Sequence, residues 1–190
     1  EGEGDGEGDT FKATRLLPYP ESGIVPFKGI ALYGAPLCFL YEQESACFSV
    51  LKELYVRYFS RLHRLSSEYG ALPMLCGVFL SLLKAADPEI VRHLRDRDID
   101  PLTIAMPWMV TGFAGRLKPH EYFLLWDRII GFDSLLLLPI LAAAVFVFKA
   151  PTAMLIKDKT DLLYLFDELS AMEVVPILQA FLFPISPSGK

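Results

Sequence analysis

Apolar positions in this chain recur at steps of three and four, and the strict alternation of a half-buried strand hardly occurs. Cys47, Phe48, Leu51, Leu54, Tyr55, Tyr58, Phe59 and Leu62 fall on one helical face and leave Lys52, Glu53, Arg57, Arg61 and Arg64 outside it. Leu75, Cys76, Phe79, Leu80 and Leu83 repeat the step behind Pro73, a residue that a first helical turn tolerates. Asp87-Pro88 and Asp100-Pro101 each place a carboxylate at a helix cap and proline just inside it. The second pair opens a run through Leu102, Ile104, Ala105, Trp108, Met109 and Phe113, closed by Gly115. Pro107 inside this run predicts a kink or a 3₁₀ step, because proline brings no N–H to the helix ladder. Lys118-Pro119 starts a helix in which Leu125, Trp126, Ile129 and Ile130 share a face. Asp127 and Arg128 lie at the rim of that face, and Gly131 is expected to supply a left-handed stop. Ser134 opens the next helix, Thr160 is expected to cap one over Leu162 to Leu169, and Glu173 leads the last through Phe183, ended by Pro184 and Pro187.

These signals predict about eight helices with short connections, with neither strand–helix alternation nor an internal repeat of roughly 30–45 residues. The fold class is therefore all-α and globular, and the unequal lengths of the helices argue against a solenoid. The chain has 190 residues, 53% of them hydrophobic, enough for one sizeable core. Residues 1–25 read as a disordered, acidic, glycine-rich leader and linker, residues 26–184 as the helical domain, and residues 185–190 as a tail.

Charge changes the picture little. The net charge is −5, but Glu1, Glu3, Asp5, Glu7 and Asp9 alone carry five negative charges. Setting these aside from the 23 acidic residues leaves 18, equal to the number of Lys and Arg. A balanced domain without a basic, aromatic-interleaved patch argues against nucleic acid as a partner. Leu135 to Phe148 has no polar side chain, but at about 1.5 Å per residue it falls well short of a hydrocarbon layer of roughly 30 Å. It reads as a buried helix and not as a membrane span, with Ser134, Pro139 and Lys149 marking its ends. Lacking an initiator Met and a secretory leader, the numbering is expected to start inside a longer protein.

Candidate chemistry is sparse. Cys38, Cys47 and Cys76 are odd in number, lie in apolar segments and are expected as free, buried thiols. His63, His93 and His120 are far apart, each on a polar face or at a helix start, so no metal site or other cofactor site is expected. The glycines form no phosphate loop, and Cys76 with His93 makes a poor nucleophile–base pair, since one lies in a core stripe and the other on a solvated face. Asp96-Arg97-Asp98 reads as a charged turn, and Arg57, Arg61 and Arg64 as the wet side of a helix or a stripe for an acidic partner.

The order of these features nevertheless resembles a known family. Leu82-Leu83, Pro88, His93-Leu94, Ile99, Pro101, Trp108, Phe113, Leu125-Trp126-Asp127 and Ser134 follow one another as in the C-terminal half of the TBC domain of Rab GTPase-activating proteins. Upstream, Pro26-Phe27-Lys28-Gly29 with Tyr33 and Ala35 to Tyr41 resembles that family's "YxQGMN" segment and the apolar helix behind it. The resemblance runs from about Pro26 to Phe183. It implies docking of a Rab-type small GTPase, with an arginine from "IxxDxxR" and the glutamine of "YxQG" entering the nucleotide site together. It thus implies a regulator of an enzyme, working in the cytoplasm and at membranes through its GTPase, with no cofactor of its own.

Two departures matter. No segment of the sequence reads "IxxDxxR"; Arg15 sits in a proline-bounded linker without the preceding Asp. Lys28 takes the glutamine's place, and an ammonium donates hydrogen bonds but accepts none. Under the resemblance Phe27, Lys28, Gly29 and Tyr33 are expected to face the GTPase. Trp108, Trp126 and Asp127 mark the fold, the tryptophans as core residues and Asp127 in a structural hydrogen bond or ion pair.

Overall fold

A computed structural model describes residues 27–66 and 69–183. The leader, Pro26, Arg15, Pro184, Pro187 and the tail lie outside the described residues. Two 3₁₀ turns, Ile30–Tyr33 and Ala35–Phe39, lead into α1 (Glu44–Leu54). That helix runs on through a π-helical turn, Tyr55–Phe59, to a last turn at Ser60–Leu62. Then follow α2 (Leu72–Ala86), α3 (Pro88–Arg95), α4 (Pro101–Val110), α5 (Pro119–Phe132), α6 (Leu137–Ala153), α7 (Lys159–Asp167) and α8 (Val174–Leu182). No strand occurs among the described residues, and the fold is all-α.

The apolar run read from Leu135 is the axis of the fold. α6 packs against α2, α3, α4, α5, α7 and α8, and its Ala142, Ala143 and Ala144 let neighbouring backbones come close. Phe146 joins Trp108, Phe79 and Phe166 in one aromatic cluster, with ring centroids 5.7, 5.3 and 4.5 Å away. Among the described residues no helix is long and apolar enough to cross a membrane.

Asp87 and Asp100 cap their helices as expected: the Asp87 carboxylate accepts from the amides of Glu89 and Ile90 at 3.0 Å, and Asp100 from Leu102 at 2.9 Å. Elsewhere local detail departs from the sequence pattern. Asp158, not Thr160, caps α7, because its carboxylate accepts from both the Thr160 and the Asp161 amide. α4 runs unbroken through Pro107; the tight step comes afterwards, where Phe113 takes a φ of 65° and its amide donates to the Trp108 carbonyl at 2.7 Å. Gly131 does not stop α5. Asp133 does, at a φ of 49°, with the Ser134 amide closing back on the Ile129 carbonyl. Ile130 is accordingly exposed and does not share the buried face of Leu125, Trp126 and Ile129.

The helix read as one amphipathic stretch from Cys47 to Leu62 is the largest departure. Its second half buries Tyr58, Phe59 and Leu62, but α1 itself contains no buried residue, and Phe48 is exposed. The π turn widens the helix by one residue, which rotates the face before it relative to the face after it. The thiols are free, but they are less buried than expected: Cys38 is exposed, and Cys47 and Cys76 are half-buried. His93, expected on a solvated face, is buried where α3 meets the end of α6, with Nε2 3.2 Å from the Ile156 carbonyl and Nδ1 3.1 Å from an Arg97 nitrogen.

Candidate functional site

The Lys28 turn is built from the aromatic side chains around it. The Ile30 amide donates to the Phe27 carbonyl at 3.1 Å and the Leu32 amide to the Gly29 carbonyl at 2.9 Å, closing two tight turns in succession. Gly29 makes this possible with a φ of 110°, where a side chain would be strained. Phe27 is half-buried with its ring 5.6 Å from Tyr33 and 5.3 Å from His63. Lys28, between these anchors, is exposed.

Tyr33 does not face outward as expected. It is only 1% exposed, its ring stacks on Phe59 at 4.2 Å, and its hydroxyl donates to the Val110 carbonyl at 2.6 Å. Burial pushes its phenol well above the ordinary tyrosine range. Tyr33 therefore holds the turn down onto α4, and of the four residues expected at a partner's face Lys28 is the exposed one.

Trp126 supports the same turn from beneath. It is 4% exposed, lies edge-on to Phe59 at 4.7 Å, and its Nε1 donates to the Gly112 carbonyl at 3.0 Å. A continuous path of ring contacts thus runs from Trp126 through Phe59 and Tyr33 to Phe27, immediately before Lys28. Gly112 is confined twice over. Its φ is 58°, and a Cβ there would come 2.6 Å from the Trp126 ring. Trp108, 1% exposed, is a core residue in the separate cluster around Phe146. Asp127 is exposed, and no hydrogen bond or ion pair involves it among the described residues.

The structure adds residues that sequence reasoning missed. His63 sits against Phe27 and Tyr55, with Nε2 2.9 Å from the Tyr55 hydroxyl. Burial and then the neighbouring Arg64 charge hold its imidazole below the usual value. Arg57, read as part of a wet stripe, is clamped on Asp133 through Nε and a terminal nitrogen, both at 3.1 Å, and the Tyr58 hydroxyl donates to the same carboxylate at 3.0 Å. The hydrogen bond and charge of Arg57 hold the Asp133 carboxyl below the usual carboxylate range. Lys149, read only as the flank of an apolar run, is buried and donates to the Leu165 and Glu168 carbonyls at the end of α7. Burial lowers its pKa.

No cluster of metal-ligating side chains occurs among the described residues. The geometry offers an exposed cation on a rigid, aromatic-backed turn, which suits recognition of an anionic group better than covalent chemistry.

The family model for the Rab-GTPase-TBC domain matches residues 24–154, which takes in the Lys28 turn and α1 through α6. The chain is similar to human TBC1 domain family member 19, at 43% identity over 87% of this chain and 31% of that protein. It is also similar to the TBC domain-containing protein kinase-like proteins of Dictyostelium discoideum (33% identity, 46% of this chain, 8% of that protein) and human (23%, 60% and 13%). The chain thus spans less than a third of the length of each of these relatives. No solved structure matches it.

Proposed function

The chain belongs to the Rab-GTPase-TBC domain family, and from that premise we propose that it docks a small GTPase of the Rab family through the turn that carries Lys28. The single observation behind this reading is that Lys28, which the resemblance puts in the family's glutamine place, is exposed on a turn pinned by Phe27 and Tyr33. A pre-set turn presents its side chain to a partner without a fresh ordering cost.

Lys28 changes what such a turn can do. An amide orients an attacking water by donating and accepting together, whereas an ammonium only donates. Its charge pairs with phosphate oxygens and stabilises negative charge there. Activation by two inserted residues also needs an arginine, a group worth on the order of 10³–10⁵ in rate. The sequence contains no "IxxDxxR" segment to supply it. A regulator that engages a GTPase is therefore the first reading. The second, which Lys28 specifically favours, is an interaction scaffold on the same fold that binds without speeding hydrolysis. In either case the chain reaches membranes through its GTPase.

Binding and phosphate release are measured with this chain and a panel of GTP-loaded Rab proteins. At least one member should bind, with Lys28→Ala weakening the complex. Stimulated phosphate release by the bound member, with this chain or with a longer chain extended upstream to supply an arginine, selects the activator; binding without stimulation by either selects the scaffold. Failure of every member to bind, or indifference of binding to Lys28→Ala, refutes docking through this turn.

A further inference from the structure

The segment behind the Lys28 turn and the start of α1 form a small helical hairpin. The second 3₁₀ turn, Ala35–Phe39, is joined to α1 by residues 40–43, and the two pack on each other. Both ends of the connection are tied down. The Tyr41 amide donates to the Leu37 carbonyl at 3.1 Å, and the Cys47 amide donates to the Gln43 carbonyl at 3.0 Å. Two opposed pairs fix the register. Gly34 lies so close to Leu51 that a Cβ at Gly34 would stand 3.3 Å from that side chain. One turn nearer the connection on each side, Cys38 and Cys47 meet, with a hydrogen bond between their thiols. The Cys38 thiol is also 3.6 Å from the Gly34 carbonyl, which puts Gly34 and Cys38 on the same side of their turn.

This register is set within residues 34–51, whatever else packs around the hairpin. Both thiols are free. Partial burial, and then the hydrogen bond with Cys38, push the Cys47 thiol above its ordinary value. Cys47 therefore keeps its proton as the donor, and Cys38 is the sulfur left to react first. Cys76, the third thiol, sits on α2, outside the hairpin.

We propose that Cys38 and Cys47 are a redox-modification site, a dithiol that closes to a disulfide by exchange with a low-molecular-weight disulfide such as glutathione disulfide. The Cys38 thiolate attacks one glutathione sulfur, forms a mixed disulfide and releases one glutathione, which takes up the Cys38 proton. The Cys47 thiolate then attacks the Cys38 sulfur and releases the second glutathione, which takes up the Cys47 proton. Two protein thiols are oxidised, and one glutathione disulfide is reduced to two thiols. The new bond staples the segment that continues from the Lys28 turn to the first turn of α1, and an excess of reduced glutathione reopens it.

In the test the full chain is incubated with glutathione disulfide, remaining thiols are alkylated, and peptides are mapped by mass spectrometry before and after reduction. Trypsin leaves Cys38 and Cys47 on one peptide ending at Lys52, and a second cleavage after Glu42 or Glu44 parts them. The disulfide should hold the two halves together until reduction, with Cys76 outside the link. Native proximity should close the bond about tenfold faster than in about 8 M urea, where the hairpin is gone. Cys47→Ser should trap Cys38 as its glutathione mixed disulfide. Four results overturn the proposal: mixed disulfides on both cysteines without a link, a link made to Cys76 in preference, closure no faster than in urea, or a Cys47→Ser chain whose Cys38 takes up no glutathione. No GTPase enters the assay, so its outcome is independent of docking through Lys28.

Discussion

Trp126→Ala tests whether the tryptophan of the Leu-Trp-Asp segment is the support on which the Lys28 turn rests. The indole is 4% exposed and in ring contact with Phe59 at 4.7 Å and with Tyr58 and Tyr122 at 6.0 Å. Truncating a buried aromatic to alanine costs about 3–5 kcal/mol, because neighbours close only part of the cavity. The Gly112 carbonyl also loses its donor, worth about 1 kcal/mol more. For a domain of this size the total corresponds to a melting temperature lower by about 8–24 °C. Trp126→Phe separates the two contributions. It keeps most of the ring and loses the N–H, so it should cost only about 1–2 kcal/mol. Urea unfolding followed by far-ultraviolet circular dichroism, with Trp108 as the remaining fluorophore, measures both. Because Phe59 carries the contact from Trp126 to Tyr33, hydrogen exchange at the Ile30 and Leu32 amides should speed up in the alanine variant. A loss below about 1 kcal/mol, or a phenylalanine variant as damaged as the alanine one, refutes the argument.

Three other outcomes follow from the same geometry. Gly112→Ala should destabilise by about 2 kcal/mol or more, since it combines a left-handed backbone with a Cβ 2.6 Å from the Trp126 ring; a neutral result in thermal melts would contradict that placement. Lys28→Gln should leave stability within about 0.5 kcal/mol, as exposed sites do, while altering GTPase binding or phosphate release; a loss of several kcal/mol would mark Lys28 as structural. His63 should titrate below its ordinary value of 6.5 in a proton NMR titration. In that window the unfolded chain binds the proton first, so the His63 contribution is present at neutral pH and is lost as pH falls through the folded-state value. His63→Gln should flatten this acid limb of the stability curve, and an unchanged limb would refute the assignment.

The sequence was informative where one residue type answers a local need. Asp before Pro at positions 87 and 100 needs only the first turn of its own helix, and both caps form as read. The ordered set from Leu82 to Ser134 was enough to mark the family, because it records the spacing of core contacts. Reading failed where a distant partner decides. Gly131 and Asp133 both tolerate helix termination, and the local pattern favours glycine. In the structure Arg57 and Tyr58, more than 70 residues upstream, hold the Asp133 carboxylate. His93 looked solvated because its helical neighbours are charged, yet the carbonyl of Ile156 arrives from across the fold.

By itself the sequence determined an all-α chain, its central apolar helix, its buried tryptophans and its family, since periodicity and burial follow from the cost of leaving apolar surface in water. Tertiary structure decided which apolar residues stay outside. Tyr33 looked like a partner-facing residue and became the post under the Lys28 turn, whereas Phe48 looked like core and is exposed among the described residues. Hydrophobic spacing says that a side chain seeks cover. Only the packing of other elements, and the extra residue in the π turn, settles whether this chain supplies that cover.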